Sequence, residues 1–136
     1  MKIYICTSKH IYNKIPLIKE FLEKKGHIIT LPNSYDFPLK EEEMKKLGRE
    51  EHAKWKSSML RLQEEKVKSN DAILALNLEK NGQENYIGGA TFLEVYLAWR
   101  LGKKIFLYNP IPDNNFKDEL CAMNPIIIEG DLSKID

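Results

Sequence analysis

Residues 71–77 read Asp71, Ala72, Ile73, Leu74, Ala75, Leu76, Asn77, five consecutive apolar side chains between two polar ones. A strand turns successive side chains to opposite faces, so a run apolar at every position has to be covered on both. That is the pattern of a strand buried inside a parallel sheet, with helices above and below. The rest of the chain supplies the matching parts. Short β-rich runs occur at Lys2, Ile3, Tyr4, Ile5, Cys6, at residues 27–31 before Pro32, at residues 103–108 before Asn109-Pro110-Ile111-Pro112, and at residues 125–129. Helical spacing fills the gaps. Asn13 is placed to cap a helix carrying Ile15, Ile18 and Phe21/Leu22 and ended by Gly26. Met44, Leu47, Trp55, Met59, Leu62 and Lys66/Val67 recur through a charged stretch that Gly48 divides into a short and a long helix. Asn81-Gly82 marks a turn, residues 87–102 form another helix, and a short one is expected around residues 116–123. Alternating β and α units predict an α/β three-layer sandwich, with a mostly parallel sheet of about five strands and right-handed crossovers.

The 136 residues fit one domain spanning 1–136, able to bury a core without staples. With 21 Lys plus Arg against 20 Asp plus Glu, the net charge of +1 gives no reason to expect a nucleic-acid polymer as partner. Cys6 and Cys121 sit in no metal-spaced pattern, and His10, His27 and His52 are scattered, so neither metal nor cofactor is expected. No run approaches the roughly 20 apolar residues of a membrane span, and Met1-Lys2 passes straight into a strand without a leader pattern. The expectation is a cytoplasmic protein without a membrane partner.

Parallel sheets bind ligands beyond the carboxyl ends of their strands. The loops after Cys6, Leu31, Asn77 and Tyr108 should share that rim, which brings together Ser8, Asn33, Asn77 and Asn109, a polar set suited to a sugar or a base. Gly88-Gly89 opens a helix where backbone can approach a ligand and free amides favour an anion, with Thr91 close behind. The helix is apolar nearly all round, and its one acid, Glu94, is expected in the first turn. Two roles stay open for Glu94. Thr91-Phe92-Leu93-Glu94 spells a capping box, while a carboxylate held near a helix start in apolar surroundings is also a nucleophile in waiting. Bland readings stand beside the other candidates as well. Tyr4 serves as a core aromatic, Ser8-Lys9-His10 and Asn33-Ser34-Tyr35 as turns, Cys6 as a small buried residue, Asp71 as an orienting group, and the Glu/Lys pairs of residues 41–68 as a solvated helix face.

Tyr4 in the first strand, Asn33-Ser34-Tyr35 after the second, and Gly88-Gly89 leading to Glu94 with Gly102-Lys103 eight residues on resemble the nucleoside 2-deoxyribosyltransferase superfamily. That superfamily includes the deoxynucleoside 5′-monophosphate N-glycosidases. The resemblance implies a flavodoxin-like fold and cleavage of an N-glycosidic bond by a glutamate nucleophile. Glu94 matches the nucleophile and Tyr4 the tyrosine that positions it. Asn115 lies near the loop that reaches a neighbouring subunit's sugar in the family. Where the transferases carry aspartates, this chain has Gln63 beside Glu64 before the third strand, and Asn85-Tyr86-Ile87 before the glycines.

The substrate implied is a small nucleoside or nucleotide. The apolar circumference of the Glu94 helix asks for a second cover around Tyr96 and Trp99, so a homodimer or larger homo-oligomer is expected. Two alternatives accompany this expectation. A phosphoribohydrolase of the cytokinin-activating type also places Thr and Glu after glycines, and a nucleotide-binding module could keep the fold without the chemistry.

Overall fold

A computed structural model describes residues 1–136. Its five strands are β1 (Lys2–Cys6), β2 (Ile28–Thr30), β3 (Ala72–Ala75), β4 (Lys104–Leu107) and β5 (Ile126–Ile127). They form one parallel sheet in the order β2-β1-β3-β4-β5. Between them run α1 (Ile15–Lys24), α2 (Lys40–Lys46), α3 (Arg49–Ser69), α4 (Gly89–Arg100) and α5 (Lys117–Ala122). This is the flavodoxin-like three-layer arrangement. No helix is long and apolar enough to cross a membrane.

Side-chain parity builds the layers. Ile3, Ile5, Ala72, Leu74 and Leu76 pack with Ile15, Ile18 and Leu22 of α1 on one face. Tyr4, Cys6, Ile73 and Ala75 turn the other way, to Val67 of α3 and Val95 and Ala98 of α4. Ile73 and Leu74 are both fully buried, each contributing on the order of 1.5–3 kcal/mol from opposite sides of one strand. The register sets Tyr4 beside Ile73 and Cys6 beside Ala75. Asp71 orients the junction by accepting a 2.8 Å hydrogen bond from the Lys2 amide. Strand order reverses between β1 and β3, so the crevice at their carboxyl ends is where a ligand would enter.

Three local expectations need correction. Asn13 does not cap α1: it lies in a 3₁₀ turn (Lys9–Lys14), and the helix starts later, with Pro16 in its first turn where a missing N–H costs nothing. The Thr91–Glu94 capping box does not form. Gly88 is the N-cap and provides no side-chain bond, and the Phe92 amide already donates to the Gly88 carbonyl at 2.9 Å. Glu94 is therefore in the second turn, beyond reach of the free amides. Nor is α4 buried all round, because Leu93, Tyr96 and Trp99 are 48%, 44% and 50% exposed. Gly48, by contrast, breaks α2 from α3 as expected, with a φ of 113° that side-chain-bearing residues rarely adopt.

Candidate active site

A cavity of about 290 Å³ opens at the carboxyl ends of β1 and β3. Tyr4, Ser8, Asn33, Gly88, Gly89, Thr91 and Glu94 all line it, so most of the site residues expected from the sequence meet in one place. The fold explains why. Parity turns Tyr4 toward α4, and the first loop carries Ser8 over the strand ends. Asn33 is anchored to α3 by donating from Nδ2 to the Met59 carbonyl at 3.0 Å.

Asn77 and Asn115 are elsewhere. Asn77 donates from Nδ2 to the carbonyls of Asn109 and Pro110 (2.9 and 3.0 Å) and accepts from the Asn109 amide at 2.8 Å. Asn109 returns a bond to the Asn77 carbonyl at 3.2 Å. With the Asn77 amide spent on backbone, the pair clamps the loop after β4 instead of offering groups to a ligand. Asn115 is exposed in the loop before α5 and lines no part of the cavity.

Glu94 is 5% exposed and faces the cavity beside Tyr4 and Cys6 of β1. Burial pushes its carboxyl up to about 7, while the neighbouring Tyr4 hydroxyl, Cys6 thiol, Lys66 and Lys56 pull the other way. Burial also raises Tyr4 and Cys6, reinforced by the carboxylate next to them, so both stay neutral and can act only as donors toward it. Tyr12 is pushed up to about 12 by burial and by Glu94 and Glu41, and packs edge-on against Tyr35 at 5.6 Å. A nearly buried carboxyl lining a cavity, beside a phenol and a thiol and within reach of two lysine charges, is an arrangement that can add to an electrophilic carbon.

The opposite wall is built by α3, from Gln63 and from two residues, Trp55 and Met59, whose helical spacing alone suggests core. Trp55, Met59 and Gln63 of α3 line the cavity four residues apart, and Gln63 donates to the Ala90 carbonyl at 3.3 Å. They lie on the same stripe as Val67, which reaches the core; a glutamine inside that apolar stripe was the available signal. The Glu/Lys pairs of residues 41–68 are only partly a solvated face. Glu41 and Lys56 line the cavity, with Glu41 accepting from His52 Nε2 at 2.9 Å and lying 3.2 Å from Lys56 Nζ. Burial opposes the Glu41 charge, but those two partners outweigh it and hold the carboxyl low. Tyr86 and Lys80 also line it, the ammonium 4.6 Å from the centre of the ring.

No protein-family model and no curated protein matches the chain. Among solved structures it is similar to the Clostridium botulinum CMP N-glycosidase BcmB. The TM-score is 0.58 at 19% identity, over 100% of this chain and 98% of that one. The likeness runs the length of both chains and supports the fold.

Proposed function

We propose that this protein cleaves the N-glycosidic bond of a nucleoside or nucleotide, with Glu94 as nucleophile and Tyr4 as the residue that positions it. The carrying observation is the nearly buried Glu94 carboxyl lining a cavity beside the Tyr4 hydroxyl. The similarity to an N-glycosidase over both full lengths agrees with it. In the reaction, a Glu94 oxygen bonds to the anomeric carbon as the carbon–nitrogen bond breaks. The base leaves with the bonding pair and takes up a proton. Water then adds to the anomeric carbon, cleaving the glycosyl ester and returning the carboxylate; an acceptor base in place of water would make the reaction a transfer. Tyr4 donates toward the carboxylate and fixes which oxygen attacks. Ser8, Asn33 and Thr91 supply polar contacts to the sugar, and the backbone at Gly88 and Gly89 lets its 5′ side come close to the start of α4. Trp55, Tyr12 and Tyr86 offer aromatic faces to the base.

Hydrolysis is favoured over transfer, because Gln63 stands where the transferases carry an aspartate. The test is a panel of ribo- and deoxyribonucleosides and their 5′-monophosphates, each with and without an acceptor base, assayed by chromatography for free base. At least one member should release its base without an acceptor. Release from none would overturn the proposal.

The same reading extends to a homodimer through α4, whose Leu93, Tyr96 and Trp99 present an apolar face to solvent. Light scattering should give twice the chain mass, and Trp99→Glu should shift the protein to monomer. A monomeric wild type would remove the dimer from the proposal.

A further inference from the structure

One cation on the inner side of α3 does not line the cavity. Lys66 is half-buried, and its ammonium donates to the carbonyl of Leu31, just after β2, at 2.8 Å. The same nitrogen stands 5.7 Å from the centre of the Tyr4 ring, on its face. Its backbone is pinned as well, since the Lys66 carbonyl accepts from Asn70 Nδ2 at 2.7 Å. Lys66 pairs with no carboxylate in a salt bridge, unlike Lys54, Lys56 and Lys68 of the same helix. Holding a charge half out of water is costly without a compensating role.

Resting on the glycosidase reading of the site, we infer that Lys66 is a positioning residue: clamped on Leu31 and against the Tyr4 ring, it fixes the phenol beside Glu94 and brings a half-buried positive charge to that side of the carboxylate. The charged and titratable groups around this centre agree. Glu94 on α4 faces Tyr4 and Cys6 of β1, Lys66 and Lys56 of α3, and Tyr12 of the turn after β1. Lys66 faces Glu94 and Asp36 of the loop after β2, whose charges partly offset the downward push of burial on its ammonium, with the neutral Cys6 thiol alongside. Of the two lysines that act on Glu94, Lys56 is also paired with Glu41, whereas Lys66 has no carboxylate in a salt bridge.

The experiment is a carbon-13 titration of the Glu94 carboxyl in the wild type, Lys66→Met and Lys66→Arg, with the pH profile of kcat/KM alongside. Lys66→Met should raise the Glu94 midpoint by roughly half to one pH unit and move the acid limb of the profile with it, while Lys66→Arg returns both toward wild type. Should Lys66→Met not fold, Lys66→Gln, which keeps a donor for the Leu31 carbonyl, carries the same expectation. An unchanged Glu94 midpoint in a folded, uncharged variant overturns the inference. The titration needs no substrate, so the expected rise in midpoint in a protein that releases no base would sink the proposed function and leave the electrostatic link standing.

Discussion

Glu94→Gln is expected to lower kcat for base release by at least about 10³-fold while leaving ligand affinity within a few-fold. Glutamine keeps the length and planarity of the side chain, so the cavity wall and the space beside Tyr4 and Cys6 are preserved. It lacks the anionic oxygen that, in the proposed reaction, bonds to the anomeric carbon. Ser8, Asn33, Thr91, Trp55 and Tyr86, the cavity residues proposed to meet the sugar and the base, are untouched, so binding is expected to survive. Single-turnover kinetics with calorimetric binding separates the two effects. If the proposed nucleophile is the ionised carboxylate, kcat/KM of the wild type should rise with pH through a midpoint near the Glu94 value of about 7. Equal losses of affinity and rate would point to a binding role for Glu94 in place of nucleophilic attack.

The same substitution should stabilise the protein at alkaline pH. Burial raises the Glu94 carboxyl from its ordinary 4.5 to about 7, so between those values the folded chain keeps a proton that the unfolded chain has released. Folding stability from this group is complete below the lower value and is lost as pH rises through the upper one. The loss amounts to roughly 3–4 kcal/mol, at roughly 1.4 kcal/mol for each pH unit between the two values. Glutamine is never ionised and does not suffer it. The stability difference between variant and wild type should therefore grow by about 3 kcal/mol from about pH 5 to about pH 8, a rise of about 10 °C in relative melting temperature. Denaturant melts at both pH values check this without any substrate. A difference that does not change with pH would mean that Glu94 is not held as a buried, proton-seeking carboxyl.

Both effects follow from a trade between stability and function: a carboxylate useful for attack is held where its charge is poorly solvated. The sequence shows part of that trade. The β-rich run of β1 and the unbroken apolar run of β3 mark strands covered on both sides, and such a strand has only two faces to which Tyr4 can turn. Gly48 and Gly26 mark real breaks, since both take positive φ. The site rim was also legible, being fixed by strand direction alone. What the sequence hid depends on distances across the fold. Asn77 looked like a ligand contact because its partner, the loop at Asn109, is 32 residues away and closes on it only in three dimensions. Trp55 and Met59 looked like core because a helical stripe does not reveal where along its length the core ends and a cavity begins. The turn occupied by Glu94 was missed for a smaller reason: the helix starts at Gly89, ahead of the better capping residue Thr91. Lys66 was lost among the lysines of α3, which the composition presents as equivalent and the packing does not.

Covalent trapping of the intermediate would decide the role of Glu94. A 2′-fluorinated nucleoside, whose fluorine destabilises an oxocarbenium-like transition state and slows both steps, can be incubated with the protein and the quenched sample weighed intact and after digestion. The expected result is a gain of one fluorinated sugar per chain, located on the peptide that carries Glu94 and absent from Glu94→Gln. A sugar located on any other side chain, or base release by Glu94→Gln at the wild-type rate, would contradict it.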